Sequence, residues 1–487
     1  MKLWLFLWLI IWFQSSFGFY PHQCRRYSQH KNLCHRYSNH GDRLLLLNAV
    51  VQGGDQEGQS FNEYDDMERT KMIPQSTTTF VLSKQVPKQK RRRLHRLGRW
   101  FSFRRSNKEK EEVTNLKFSY DFDQVVINSS STSNIGSTGV MLIHPLGVGI
   151  GKWYYNRLLN AFQDYSRQQS QKQQQRLVIV SPDLIGSGSG CSPSLTTITD
   201  DHDGAIDDQE FPRKLPLLNI SDWTDQLEDL MTKVEEQQPS INRWCVVANG
   251  GCSPIALQLA QRSLQKATTT TTTTTPSICN IVLSSVPRLS FFLGPSNTPE
   301  KVLKSYKTLC GIVGKLFWWY SCRNQGSFIQ KFSEKNLVAD PQSLGPYWRS
   351  NCYQTAISFQ GKSKYSTFAF LAGTLQDGCL DSLNAILSPS PTVDSTKDMI
   401  QVDIIKGRDI RRNQARSWFW QKNKNETNEK TDNDAPLPSN NGTKTIHEYL
   451  IDNGMIHSRE TIIGGRISLA HEDPKGYCDA IWNFLSP

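Results

Sequence analysis

What this chain lacks first is a long apolar run: residues 3–13, the most apolar stretch near its start, are too short to cross a bilayer. Paired cysteines are missing too. Eleven are scattered without the spacings of a disulfide framework or a zinc site, two of them before residue 48. That argues against a stapled secreted scaffold and for a reducing compartment. Acid is in short supply: Lys and Arg number 56 against 45 Asp and Glu, a formal +11. Residues 1–110 hold 20 of those cations and 8 of the acids, a net +12, so the remainder carries −1. The basic character therefore belongs to the leader. With no interleaving of basic and aromatic residues read in the rest, nucleic-acid binding is set aside. At 487 residues and 37% hydrophobic content, one large domain behind a long presequence fits better than several domains.

The leader reads in three parts. Met1 and Lys2 precede the apolar run, and Ser16-Phe17-Gly18 offers small residues for cleavage, so residues 1–18 are expected to be a signal peptide. Residues 19–48 begin with Phe19 and carry Arg25, Arg26, Lys31, Arg36 and Arg43 against the single acid Asp42. This resembles the bipartite presequences of complex plastids, which implies a plastid location; plain secretion is the alternative. Residues 49–115, with Lys88-Gln89-Lys90-Arg91-Arg92-Arg93, read as a basic low-complexity linker. Leu94, Leu97, Trp100, Phe101 and Phe103 among its cations make peripheral membrane contact the sharper reading there.

From residue 116 to the end, apolar runs of strand length alternate with helical stretches. Strands are expected at 140–143, 177–180, 244–248, 278–283, 402–405 and 461–463, and helices at 153–166, 223–236, 254–264 and 474–485. Such alternation predicts an α/β fold, a mostly parallel sheet covered by helices on both faces. Residues 268–275 are all threonine and 421–445 are polar, so both are expected to be surface insertions. Residues 297–370 are long, helical and aromatic, which predicts a cap over the carboxyl ends of the strands.

Five segments carry the candidate chemistry. His144-Pro145-Leu146-Gly147-Val148-Gly149 follows a strand, and Pro182-Asp183-Leu184 opens a glycine-spaced loop after the next. Asn249-Gly250-Gly251-Cys252-Ser253 joins a buried strand to a helix. Gly407-Arg408-Asp409 and Ala470-His471-Glu472 end the last two strand segments. Together these resemble the α/β-hydrolase family. The serine-free turn, the His144 loop and Phe368-Ala369-Phe370-Leu371-Ala372-Gly373 resemble a cyanobacterial and plastid group within it.

The resemblance implies a nucleophile elbow of pattern G-x-S-x-G, laid here on Ala248, Gly250 and Cys252, so that glycine stands where the serine belongs. It implies an oxyanion hole from the N–H groups of Leu146 and Gly251, a triad acid at Asp409 and a triad base at His471. Cys252 and Ser253 are the fallback nucleophiles. His144 and Asp183 are expected to order loops. No metal and no cofactor is called for. The implied activity is hydrolysis of an ester or amide of an apolar small molecule or lipid. The alternatives are an inactive ligand-binding or scaffold protein and, further off, serine-free His/Asp chemistry such as proton abstraction.

Overall fold

The computed structural model describes residues 74–87, 111–127, 136–169, 176–191, 193–196, 216–269, 277–293, 297–376, 379–387, 400–408 and 444–486. The expected signal and transit segments and Asp409 lie outside these, as does nearly all of the 421–445 insertion.

Nine strands form one sheet: β1 (Gln75–Pro87), β2 (Glu111–Ile127), β3 (Ser137–Ile143), β4 (Arg176–Pro182), β5 (Pro193–Thr196), β6 (Ile241–Asn249), β7 (Ser277–Ser284), β8 (Gln401–Gly407) and β9 (Glu460–Ile463). Their spatial order is β1-β2-β4-β3-β6-β7-β8-β9, with β5 beside β2. Every pair from β4 to β9 is parallel; β2 runs antiparallel to β1, β4 and β5.

The central strands are continuous apolar runs because both faces are covered. Met141, Ile143, Val178, Val180, Val246 and Ala248 point to one buried cluster, and Val140, Leu142, Leu177, Ile179, Cys245 and Val247 to the other. Helices α1 (Asn156–Gln169), α2 (Ile220–Gln237) and α3 (Ser253–Thr269) stand beside this centre. α2 starts where it does because Asn219 accepts from the Asp222 N–H while the Asp222 carboxylate accepts from the Asn219 N–H, a reciprocal cap. Its Trp223 is fully buried and donates to the Ile185 carbonyl at 3.0 Å.

The six expected strands and four expected helices are all present. Two boundaries need correction. Residues 75–87, read as part of the linker, form β1 and pair with β2 along their whole length. The domain therefore begins well before residue 116, because antiparallel pairing to β2 recruits a segment whose Thr-rich composition shows little burial signal; Val81 on it stays 51% exposed. The cap is also longer than 297–370. Between β7 and β8 lie α4 (Leu289–Leu293), α5 (Pro299–Leu309), α6 (Ile312–Asn336), α7 (Gly345–Gly361), α8 (Lys364–Ala372) and α9 (Cys379–Leu387). α6 is broken at Asn324, Gln325 and Gly326, all at positive φ. After β8 come α10 (Ile446–Asp452), α11 (Leu469–Glu472) and α12 (Pro474–Leu485).

Candidate active site at the strand-helix elbow

The chain leaves β3 toward β4 on one side and returns past β3 to β6 on the other. The carboxyl ends of β3 and β6 therefore flank a topological switch point, where open α/β sheets leave a crevice. His144 and Gly250 sit at those two ends.

His144 is fully buried. Its Nδ1–H donates to the Pro145 carbonyl at 3.0 Å, and its Nε2 accepts from the Leu184 N–H at 3.2 Å, an arrangement that assigns one tautomer. Burial holds its pKa below the usual range. The ring thus ties the β3 loop to the β4 loop with both nitrogens engaged. Asp183 does the same work for the neighbouring turn. One carboxylate oxygen accepts from the Lys152 N–H at 2.7 Å, the other from the Ser189 N–H at 2.9 Å and its hydroxyl at 2.8 Å. A Cβ on Gly188, at φ +50°, would lie 2.1 Å from that carboxylate, so only glycine closes this turn.

At the end of β6 the backbone enters a short turn, Gly250–Cys252, before α3 begins at Ser253. Gly250 has φ +57°. A Cβ there would meet only the Ser285 carbonyl, at 3.9 Å, so the sharp turn and the space for a nucleophile both exist. Glycine puts no side chain into that space. Cys252 is fully buried, its thiol faces the Leu146 N–H, and desolvation pushes its pKa up to about 12. Ser253 is fully buried and donates to the Gly250 carbonyl at 2.7 Å. Both fallback side chains are thus buried, because the turn and the start of α3 point them inward. Of the expected oxyanion donors, Leu146 has its N–H at the Cys252 sulfur, and Gly251 lies under the Phe370 ring, 2.7 Å from where a Gly251 Cβ would be.

His471 lies on α11 and is buried edge-on against Trp348, ring centroids 4.9 Å apart. Its Nε2–H donates to the Leu344 carbonyl at 3.4 Å, and its own carbonyl accepts from Arg157 at 3.2 Å. Burial first, then the Arg157 charge, pushes its pKa down to about 3. The hydrogen bond of this imidazole goes to the Leu344 carbonyl, between α6 and α7 of the cap, while Asp409, the expected triad acid, lies outside the described residues. Because the folded pKa is lower than the unfolded value near 6.5, the unfolded chain binds the extra proton, and stability is lost as pH falls below 6.5. We expect denaturant unfolding to show roughly 2 kcal/mol less stability at pH 5 than at pH 6.5 from this one group. His471→Gln should remove that share of the slope, and an unchanged pH profile would contradict it.

What sequence reading missed is a chain of buried hydroxyls beneath the elbow. Asn249 donates to the Tyr154 and Ser284 oxygens, each at 3.2 Å; Tyr477 donates to Ser284 at 2.6 Å; and Tyr155 donates to the Ile143 carbonyl at 2.9 Å. Desolvation raises the pKa of all three tyrosines. The only sequence signal was Asn249 itself, polar at the end of an apolar strand.

The cap closes this crevice from above. Thr367 donates to the Gly147 carbonyl at 3.1 Å, Ser366 donates to the Gly186 carbonyl at 2.6 Å, and the Cys352 carbonyl lies where a Gly149 Cβ would be.

Taken in sequence order along the main path, the sheet has its antiparallel second strand, a swap of its third and fourth, and a glycine turn from the fifth into a helix, with a helical insertion after the sixth. This is the α/β-hydrolase fold. Solved structures similar to this α/β-hydrolase-fold chain include a thermophilic esterase from Thermogutta terrifontis with malate bound, at 11% identity over 75% of this chain and 93% of that one, TM-score 0.40. A peroxisomal alpha-beta-hydrolase from Saccharomyces cerevisiae matches at 12% identity over 85% and 90%, TM-score 0.43. The epoxide hydrolase CorEH matches at 9% identity over 75% and 94%, TM-score 0.41. At such identities no activity passes from them to this chain. No protein-family model and no curated protein matches it.

Proposed function

We propose that this α/β-hydrolase-fold protein binds rather than hydrolyses: a catalytically inactive ligand-binding or scaffold protein, with an apolar small molecule or lipid as its ligand class. The observation that carries this reading is the elbow. Gly250 has no reacting atom, and the neighbouring thiol and hydroxyl are buried and hydrogen-bonded. A base whose N–H is spent on the Leu344 carbonyl adds nothing to a missing nucleophile. The proposed compartment is a plastid, on the strength of residues 1–48; the free thiols of the described domain fit a reducing stroma.

A second reading, ester or amide hydrolysis by a water held between His471 and Asp409, is favoured by the open space over Gly250. The two separate in one assay. We expect the native protein to give neither fluorophosphonate labelling nor turnover on a panel of aryl esters. Gly250→Ser should fold at a cost of roughly 1–2 kcal/mol for a left-handed serine and still give no turnover. Turnover by the native protein that is lost on His471→Ala would reverse the proposal.

A further inference from the structure

We propose that the outer faces of α5 and α6 in the cap form a docking surface for an anionic lipid bilayer. On α6, Ile312, Trp319 and Tyr320 are 76%, 55% and 39% exposed, and on α5 Leu303 is 40% exposed. Ile312, Leu316, Trp319 and Tyr320 recur at three- and four-residue intervals, which puts them on one helix face, while Gly314 and Trp318 turn inward and Arg323 opens the break that follows. From Lys301 to Ser333 the chain has six cations, Lys301, Lys304, Lys307, Lys315, Arg323 and Lys331, and no acid.

The cations and rings are interleaved in space. The Arg323 guanidinium lies 5.5 Å over the Trp319 ring, and the Lys364 ammonium 5.2 Å over Tyr365. Burial and then the like charge of Lys315 lower the Lys364 pKa, so positive charge is crowded here. On α5, a surface depression of about 470 Å³ is lined by Leu303, Lys304, Lys307 and Thr308, with Glu300 the one acid in its lining.

An ordinary solvated helix face mixes both signs of charge and exposes few large apolar groups. This one has a single sign around Ile, Leu, Trp and Tyr. Aromatic rings sit at headgroup level, aliphatic tips enter the acyl boundary, and lysines pair with anionic headgroups, each worth a comparable increment. Exposed Ile312 and Leu303 favour a bilayer over a nucleic-acid phosphate, which gives aliphatics nothing to contact. Among the described residues no helix is long and apolar enough to cross a membrane, so the contact is peripheral. Reading the sequence placed lipid contact on the basic linker and saw no basic-aromatic pattern here, because helical spacing spreads the face over about twenty residues.

The test is co-sedimentation of the full chain with phosphatidylcholine vesicles, with and without phosphatidylserine. Binding is expected only with phosphatidylserine and is weakened by salt. Lys304→Glu combined with Lys307→Glu, both exposed, should weaken partitioning about tenfold or more. Trp319→Phe should abolish most of the fluorescence quenching by brominated acyl chains, with circular dichroism checking that each variant is folded. Native protein that ignores anionic vesicles overturns the proposal. So does a doubly reversed variant that binds like the native protein, which would assign the contact to the linker.

Discussion

Gly149→Ala is expected to cost about 2–5 kcal/mol and to loosen the cap. Two penalties coincide at this residue. Its φ is +74°, a left-handed conformation that costs an alanine roughly 1–2 kcal/mol. The new Cβ would also stand 1.9 Å from the Cys352 carbonyl on α7, a backbone atom that moves only if the helix moves. Overpacking of this kind costs a further 1–3 kcal/mol or so. The Trp153 indole, which donates to the Gly149 carbonyl at 3.1 Å, would lose its partner geometry as well. Urea unfolding measures the total, and limited proteolysis reads where it falls. We expect earlier cleavage within 297–387 than in the native protein. Unchanged stability would mean that α7 does not seat on the β3 loop as described.

Arg459→Met is expected to cost a similar 3–5 kcal/mol, for an electrostatic reason. Asp403, in the middle of β8, is fully buried. Its carboxylate accepts from the Arg459 backbone N–H at 2.9 Å, from Nη2 at 3.0 Å and from Nε at 3.3 Å, and from Asn280 and Gln401 at 2.9 and 3.0 Å. The guanidinium also donates to the carbonyls of Asn483 and Phe484 and stacks 5.0 Å over the Phe484 ring, which ties β8 to the end of α12. Removing the cation strands a buried carboxylate, the costly half of a broken pair. Adding Asp403→Asn to Arg459→Met removes the stranded charge and should return about half of the loss or more. If the double variant is no better than the single, the cost lies in the α12 contacts instead.

Glycine governs the site in the same way that it governs the cap. Gly250, Gly149 and Gly188 each occupy positive φ, and each stands where a side chain would meet something different: open space, a helix backbone and a carboxylate. Only at Gly250 does the surrounding structure leave room. The turn after β6 therefore has room that glycine leaves unfilled.

How much of this was legible in advance depended on the range of the interaction. The runs 140–143, 177–180 and 244–248 announced central parallel strands because burial on both faces leaves no polar alternation to obscure them. The glycine pair at the turn after β6 was likewise readable, since residue identity is a property of one position. β1 was not readable: Thr77, Thr78 and Thr79 have no partner in sequence, and only the register with β2 makes them a strand. The direction of His471 was decided by Leu344, 127 residues away, and the seal over the elbow by Cys352, Thr367 and Phe370 from the cap. The hydroxyl chain joins Tyr154, Asn249, Ser284 and Tyr477 from four separate segments. Sequence by itself determined the fold class and the glycine at the turn after β6, because strand burial and residue identity are local. The tertiary structure decided what the remaining groups face, because hydrogen-bond direction and desolvation are set by neighbours distant in the chain.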